Sequence, residues 1–277
     1  VISMPFTDLP IKSSYTAADD RVNGFFVPLL AQAVSYDRVT GYFRSTSLAS
    51  VARGLARFVS SGGTMRLIAG AELDEADVRA LHEGEPLGDV VARRLIADPL
   101  EGETIIAEQR LATLAWLVKE GRLEIRIGVP TDHLGRPLRR DQTDRYFHAK
   151  YGVLVDAYGN KVAFEGSNNE TQAGLIDNYE TFSVFPSWNE GVWAWSGQAV
   201  ADRFEEHWNG AVGDNWAIVD LPEAVAERLV ERVKHVATPF PRDPEEEQQA
   251  SDAAYNQTRL DFVKSAPSLG GGTGVGF

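Results

Sequence analysis

Cysteine is absent from the 277-residue chain. That absence removes disulfide scaffolds, cysteine nucleophiles and thiolate metal sites together, and it fits a reducing compartment. Positive charge is the scarcer sign, with 27 Lys and Arg against 40 Asp and Glu and a net charge of −13. Most of the surface therefore repels phosphate, which excludes a protein that coats nucleic acid through bulk charge but leaves room for a local basic groove. No apolar run approaches the ~20 residues of a bilayer-spanning helix. The first ten residues lack the basic-then-apolar layout of a signal peptide. The expectation is a cytoplasmic chain without a membrane partner.

What is present is ordinary for a folded protein: 43% hydrophobic and 24% charged residues, enough to close a sizeable core. The segment 20–35 carries apolar residues at helical spacing (Val22, Phe25, Phe26, Leu29, Leu30, Ala33), and 36–43 is rich in strand formers. A second helix follows with Leu48, Val51, Leu55, Phe58 and Val59 on one stripe, then a short apolar strand at 65–69. Strand, helix, strand is a βαβ unit and predicts a partly parallel sheet. The pattern over 74–121 is helical, and strands are expected at 123–128, 147–155, 161–165 and 179–185. Helices are expected at 197–208 and 222–236. Tyr158-Gly159-Asn160 marks a tight turn between two of the strands. The expected organisation is one domain over 1–212, followed by a helical extension and linker over 213–277. The glycine-rich residues from 270 onward suggest a piece of something longer.

Histidine is scarce too, and of the five only His148 stands in a suggestive context, Phe147-His148-Ala149-Lys150. Residues two apart on a strand share a face, so His148 and Lys150 project together. Counting back from the turn at 158–160 brings Gly166-Ser167-Asn168-Asn169 beside them. An imidazole, an ammonium, a hydroxyl and an amide then converge at one sheet edge. That set suits phosphoryl transfer: imidazole as nucleophile or acid–base, ammonium as counter-charge, hydroxyl and amide as donors to the oxygens. No carboxylate cluster or histidine pair has ligand spacing, so neither a metal nor a cofactor is suggested.

These residues resemble the phospholipase D superfamily signature, His-x-Lys on one strand and Gly-Ser-x-Asn on the next. Asn178-Tyr179-Glu180 resembles its third element. The resemblance covers roughly residues 20–210. It implies an α/β fold, a mixed, largely parallel sheet flanked by helices on both faces. It also implies a mechanism in which His148 attacks phosphorus, Lys150 and Asn169 hold the non-bridging oxygens, Ser167 assists and Glu180 supports the imidazole. The family's complete site uses two such motifs and this chain holds one, so the implied assembly is a homodimer with the site on its two-fold axis. One departure stands out: the family places an Asp five residues after the Lys, where this chain has Val155, with Asp156 one later. The stretch 36–43 and the end of the chain further resemble the nuclease-like module of bacterial Swi/Snf-type helicases found in antiviral defence loci. A helicase domain or other defence subunits are then implied partners.

Each feature has a plainer account. A lone His-x-Lys is commonly chance; Ser167, Asn169 and Glu180 together tip the balance toward a site. Between His133 and Lys150 there are five Lys or Arg and two Asp. Arg139, Arg140 and Arg145, with Arg136, either track phosphate toward His148 or pair with surface acids. Arg44 and Ser45 end the first strand and are candidates for phosphate contact, or simply a helix-cap neighbourhood. Trp188, Trp193, Trp195 and Trp208 are expected to pack a core or an interface. The leading expectation is a metal-independent nuclease acting on nucleic acid, DNA in the first instance. The alternatives are a catalytically silent nucleic-acid-binding module of a helicase, and a lipid phosphodiesterase.

Overall fold

The structure is a computed structural model and describes residues 4–41, 52–70, 116–138, 142–145, 147–167 and 180–220. Within them run β1 (Ser14–Tyr15), β2 (Ala33–Thr40), β3 (Thr64–Gly70), β4 (Leu123–Pro130), β5 (Tyr151–Asp156), β6 (Lys161–Gly166), β7 (Phe182–Pro186) and β8 (Trp216–Asp220). They form one mixed sheet in the order β1-β7-β6-β5-β2-β3-β4-β8. β2, β3 and β4 are parallel, and every other neighbouring pair is antiparallel. The parallel share is thus smaller than expected. Long connections let β2, β3 and β4 run parallel, whereas β5 and β6 are joined by a tight turn, which forces antiparallel pairing.

Alternation along the strands separates two cores. Tyr36, Leu154, Phe164 and Phe182 face a layer built from Phe25, Phe26, Leu29, Leu55 and Phe58. Val39, Ile68, Tyr151, Val153 and Ala163 face Val200, Phe204 and Trp208. Helices therefore flank both faces, as the sequence led one to expect. The first layer comes from α1 (Val27–Leu30), continuing a π-helical stretch Val22–Phe26, and from α2 (Ala52–Ser60). Pro28 has no N–H to offer the Gly24 carbonyl one turn back, and the Tyr15 hydroxyl donates to that carbonyl instead at 2.7 Å. The second layer comes from a continuous helical run, α3 (Glu190–Val192), the π-helical Trp193–Gly197 and α4 (Gln198–Trp208). Arg66 of β3 pins α4 by donating to Asp37 at 2.7 and 2.8 Å and to Glu205 at 2.6 Å, with its guanidinium 4.8 Å from the Phe204 ring.

Several expectations move. The first helix ends at Leu30 and β2 begins at Ala33, because Tyr36 onward is only the second half of a strand paired on both sides. The helix expected from 197 starts at Glu190, where Asn189 accepts the Val192 N–H. Two edge strands were not anticipated. β1 has only two residues, and β8 follows a Gly-Asp-Asn turn in which Asn215 takes a φ of 74°. Through β8 the sheet reaches Asp220, past the expected boundary at 212. The helices expected at 222–236 and over most of 74–121 lie outside the described residues. Of the tryptophans, Trp208 is buried and Trp193 packs on the same core, whereas Trp195 is 88% exposed. No helix among the described residues is long and apolar enough to cross a membrane.

Candidate active site at one end of the sheet

The carboxyl ends of β2, β3 and β4 lie at the same end of the sheet as the start of β5, the end of β6 and the start of β7. Open α/β sheets commonly bind ligands at that end. His148 and Lys150 lie just before β5, not within it, and Glu180 lies just before β7. The strand begins later than expected because the chain first crosses the end of the sheet on the α4 side. There Phe147 is buried among Ile68, Tyr151 and Trp208, and it lies 5.8 Å from the Trp216 ring. Two glycines make that crossing possible. A Cβ at Gly128 would stand 2.8 Å from the Phe147 ring, and one at Gly70 would stand 2.8 Å from the Phe147 carbonyl oxygen. Gly128→Ala is accordingly expected to displace Phe147 and the residues after it. Overpacking of this kind costs about 1–3 kcal/mol, which thermal melting checks, and any activity of the His148 segment should fall with it.

Beyond Phe147 the side chains part. His148 is exposed, while Lys150 is buried at 5% exposure and donates from Nζ to the His148 carbonyl at 2.9 Å. Burial pushes the Lys150 ammonium down to about 8, with Glu180 opposing and Arg38 adding to the drop. Burial also lowers the His148 imidazole below its ordinary value, helped by Lys150 and opposed by Glu180. Glu180 is buried. The carbonyl of Lys150 accepts the Gly166 N–H at 3.1 Å, so the end of β6 returns beside the lysine as the hairpin count anticipated. Ser167 continues that ladder. Its N–H donates to the Thr181 carbonyl at 2.9 Å and its Oγ accepts the Thr181 N–H at 3.0 Å. The hydroxyl thereby holds the residue next to Glu180.

Sequence reasoning missed two cations here. Arg38 is fully buried on β2, opposite Gly152, which in turn lies opposite Phe164. A side chain at 152 would clash with the Phe164 ring at 2.8 Å; glycine leaves room for the Arg38 guanidinium 5.0 Å above that ring. Arg21, also buried, donates to the Glu180 carbonyl at 3.4 Å. The available signal was a lone arginine inside the strand-forming run Tyr36–Thr40, where burial on both faces leaves a charge without an ordinary reason to be. Arg145, by contrast, is exposed and turns back on its own loop, its Nε 3.2 Å from Thr143 Oγ. Arg136 pairs with Asp132 at 2.7 Å. Arg44, Ser45, Arg139, Arg140 and Asn169 lie outside the described residues. The described residues hold no group of three His, Asp or Glu placed to grip a metal ion.

No family model matches the chain, and no curated protein matches it. Among solved structures the chain is similar to NucT from Helicobacter pylori, at 13% identity and a TM-score of 0.38, over 69% of this chain and 94% of that one. It is similar to Nuc from Salmonella typhimurium, a phospholipase D family member, at 12% identity and a TM-score of 0.32, over 80% and 90%. A third likeness is to polyphosphate kinase from Porphyromonas gingivalis, at 10% identity and a TM-score of 0.40, over 92% of this chain and 29% of that one.

Proposed function

We propose that the chain is a phosphodiesterase that cuts nucleic acid through a phosphohistidine formed on His148. The observation that carries this reading is an exposed imidazole two residues from a buried ammonium, with a buried carboxylate beside both, at the ligand-binding end of an α/β sheet. The neutral His148 ring attacks phosphorus. Lys150 neutralises the charge that grows on the non-bridging oxygens, with Asn169 as an amide donor to them. The P–O bond to the leaving group breaks as an imidazolium gives that oxygen its proton. Water then attacks the phosphohistidine, losing a proton to the same imidazole and freeing His148. This chain carries one His-x-Lys, so the second imidazole is assigned to the partner's His148 in a homodimer. The module's place beside a defence helicase rests on the resemblance carried by 36–43 and the chain's end.

The charges at the site set a pH profile. One His148 must be neutral to attack while the partner's His148 must be protonated to donate, so kcat/KM is expected to peak at a pH below the ordinary histidine value of 6.5 and to fall on either side. Lys150 must also be protonated, which adds a second loss as pH rises through about 8. Lys150→Arg should remove that second loss and leave the histidine limb in place, because guanidinium does not titrate there. A cleavage assay on a labelled oligonucleotide from pH 5 to 10 reads both limbs. The same assay in EDTA tests the route: continued cleavage is expected, and cleavage abolished by the chelator sinks the phosphohistidine mechanism.

A further inference from the structure

His207 has no part in that scheme, yet it touches both flanks of the segment that carries His148 and Lys150. Its Nδ1 lies 2.6 Å from the hydroxyl of Tyr151, the residue directly after Lys150. Its ring lies 6.4 Å from that of Phe147, the residue directly before His148, and 5.9 Å from that of Tyr151. Both flanking side chains are buried. His207 sits in the last turn of α4, and Arg66 ties that helix to the sheet two residues earlier, at Glu205. The support behind the imidazole is thus rigid on a second, independent contact.

We propose that His207 is a positioning residue that holds the His148–Lys150 segment in register from α4, across the sheet from Lys150; this rests on reading that segment as the active site. Burial keeps the Tyr151 phenol protonated by pushing its pKa upward. In this arrangement the phenol donates to Nδ1 of the neutral ring, whose proton is on Nε2. Burial also lowers the His207 pKa, with Arg203 adding and Glu206 opposing. The charged and titratable groups around it are Arg203 and Glu206 of α4, Glu165 of β6, which pairs with Arg203, and Tyr151 of β5. The neutral ring accepts the bond. Protonation places a hydrogen on Nδ1, and the phenol proton must turn to the Arg203 carbonyl, 3.5 Å away. The short contact then persists only with the ring donating to the phenol oxygen, and a charged imidazolium must be kept buried beside Arg203, so the fastening loosens as pH falls below 6.5 toward the lowered value.

Hydrogen exchange at the Gly166 amide, which donates to the Lys150 carbonyl, reads this directly and needs no substrate. After correction for intrinsic rate, protection in the full chain is expected to fall about tenfold between pH 7 and pH 5. His207→Asn, which keeps an acceptor near Nδ1 but does not titrate, should remove the pH dependence. Tyr151→Phe should show the low protection at both pH values. In His148→Ala the dependence should persist. Its disappearance there would assign the effect to His148's own charge and overturn the proposal. Equal protection at both pH values in the wild type, with the His207 ring seen to titrate by NMR, overturns it as well, as does wild-type protection in Tyr151→Phe. A chain that cuts no oligonucleotide at any pH defeats the nuclease reading alone, because exchange still decides the role of His207.

Discussion

His148→Ala is expected to abolish oligonucleotide cleavage, a loss on the order of 10,000-fold or more, with the fold intact. The size follows from the proposed role. Deleting a covalent nucleophile removes a step that no neighbouring group can perform, and such deletions collapse the rate to what binding and electrostatics alone supply. The intact fold follows from position. His148 is exposed at the end of the sheet, whereas Phe147 and Tyr151, on either side, are buried and make the packing contacts. Substitutions at such surface positions usually change stability by about 0.5 kcal/mol or less. Melting curves should therefore superimpose while the cleavage rate vanishes. Retention of the wild-type rate in purified His148→Ala would refute the phosphohistidine and return the site to a phosphate-binding surface. A Lys150→Met variant run in parallel guards against a contaminating nuclease, since it too should lose most of its rate.

Asp156→Ala is expected to do the reverse and strike the fold. Asp156 is 2% exposed at the far end of β5. One of its oxygens accepts the Phe6 N–H at 2.7 Å, holding the 3₁₀ turn Phe6–Asp8 to the hairpin. It also accepts the Tyr158 and Asn160 N–H groups and the Asn160 amide, each at 2.9 Å, which shapes the β5–β6 turn. Alanine leaves these donors without their acceptor. At about 1–3 kcal/mol for each unsatisfied buried group, and with some donors recovered by water, the loss comes to about 3–5 kcal/mol. At 2–4 °C per kcal/mol for a domain of this size, the melting temperature should drop on the order of 10 °C. Residual activity at low temperature should survive, because the carboxylate lies at the opposite end of β5 from Lys150. A drop of only one or two degrees would mean that the hairpin and the N-terminal turn hold without it. The carboxylate's work as a turn and N-terminal clamp also answers what the one-residue offset of Asp156 left open.

Part of the architecture was legible because its signals are local. The strand formers in 36–43, the helical stripe through Phe25, Phe26 and Leu29, and the turn at 158–160 each report on neighbours in the chain. So does the hairpin count that set Ser167 and Gly166 beside Lys150. What was not legible depends on partners far away in sequence. β8 is recognisable only once β4 offers an edge. Arg38 reads as a misplaced charge until Gly152 and Phe164 come alongside. His207 was set aside because its partners, Phe147 and Tyr151, lie some 56 to 60 residues earlier in the chain.

By itself, then, the sequence determined which chemistry is possible. With no cysteine and few histidines, His148 with Lys150 and Glu180 was the group that the sequence singled out for phosphodiester chemistry, and the net charge of −13 excluded a role in coating nucleic acid. Only the tertiary structure decided the state of that chemistry. Burial, not sequence, brings Lys150 down to about 8 and His148 below its ordinary value. The physical reason is that ionisation depends on solvent and on charges across space. Those are set by Arg38, Glu180 and the strands between them, which meet only when the sheet has formed.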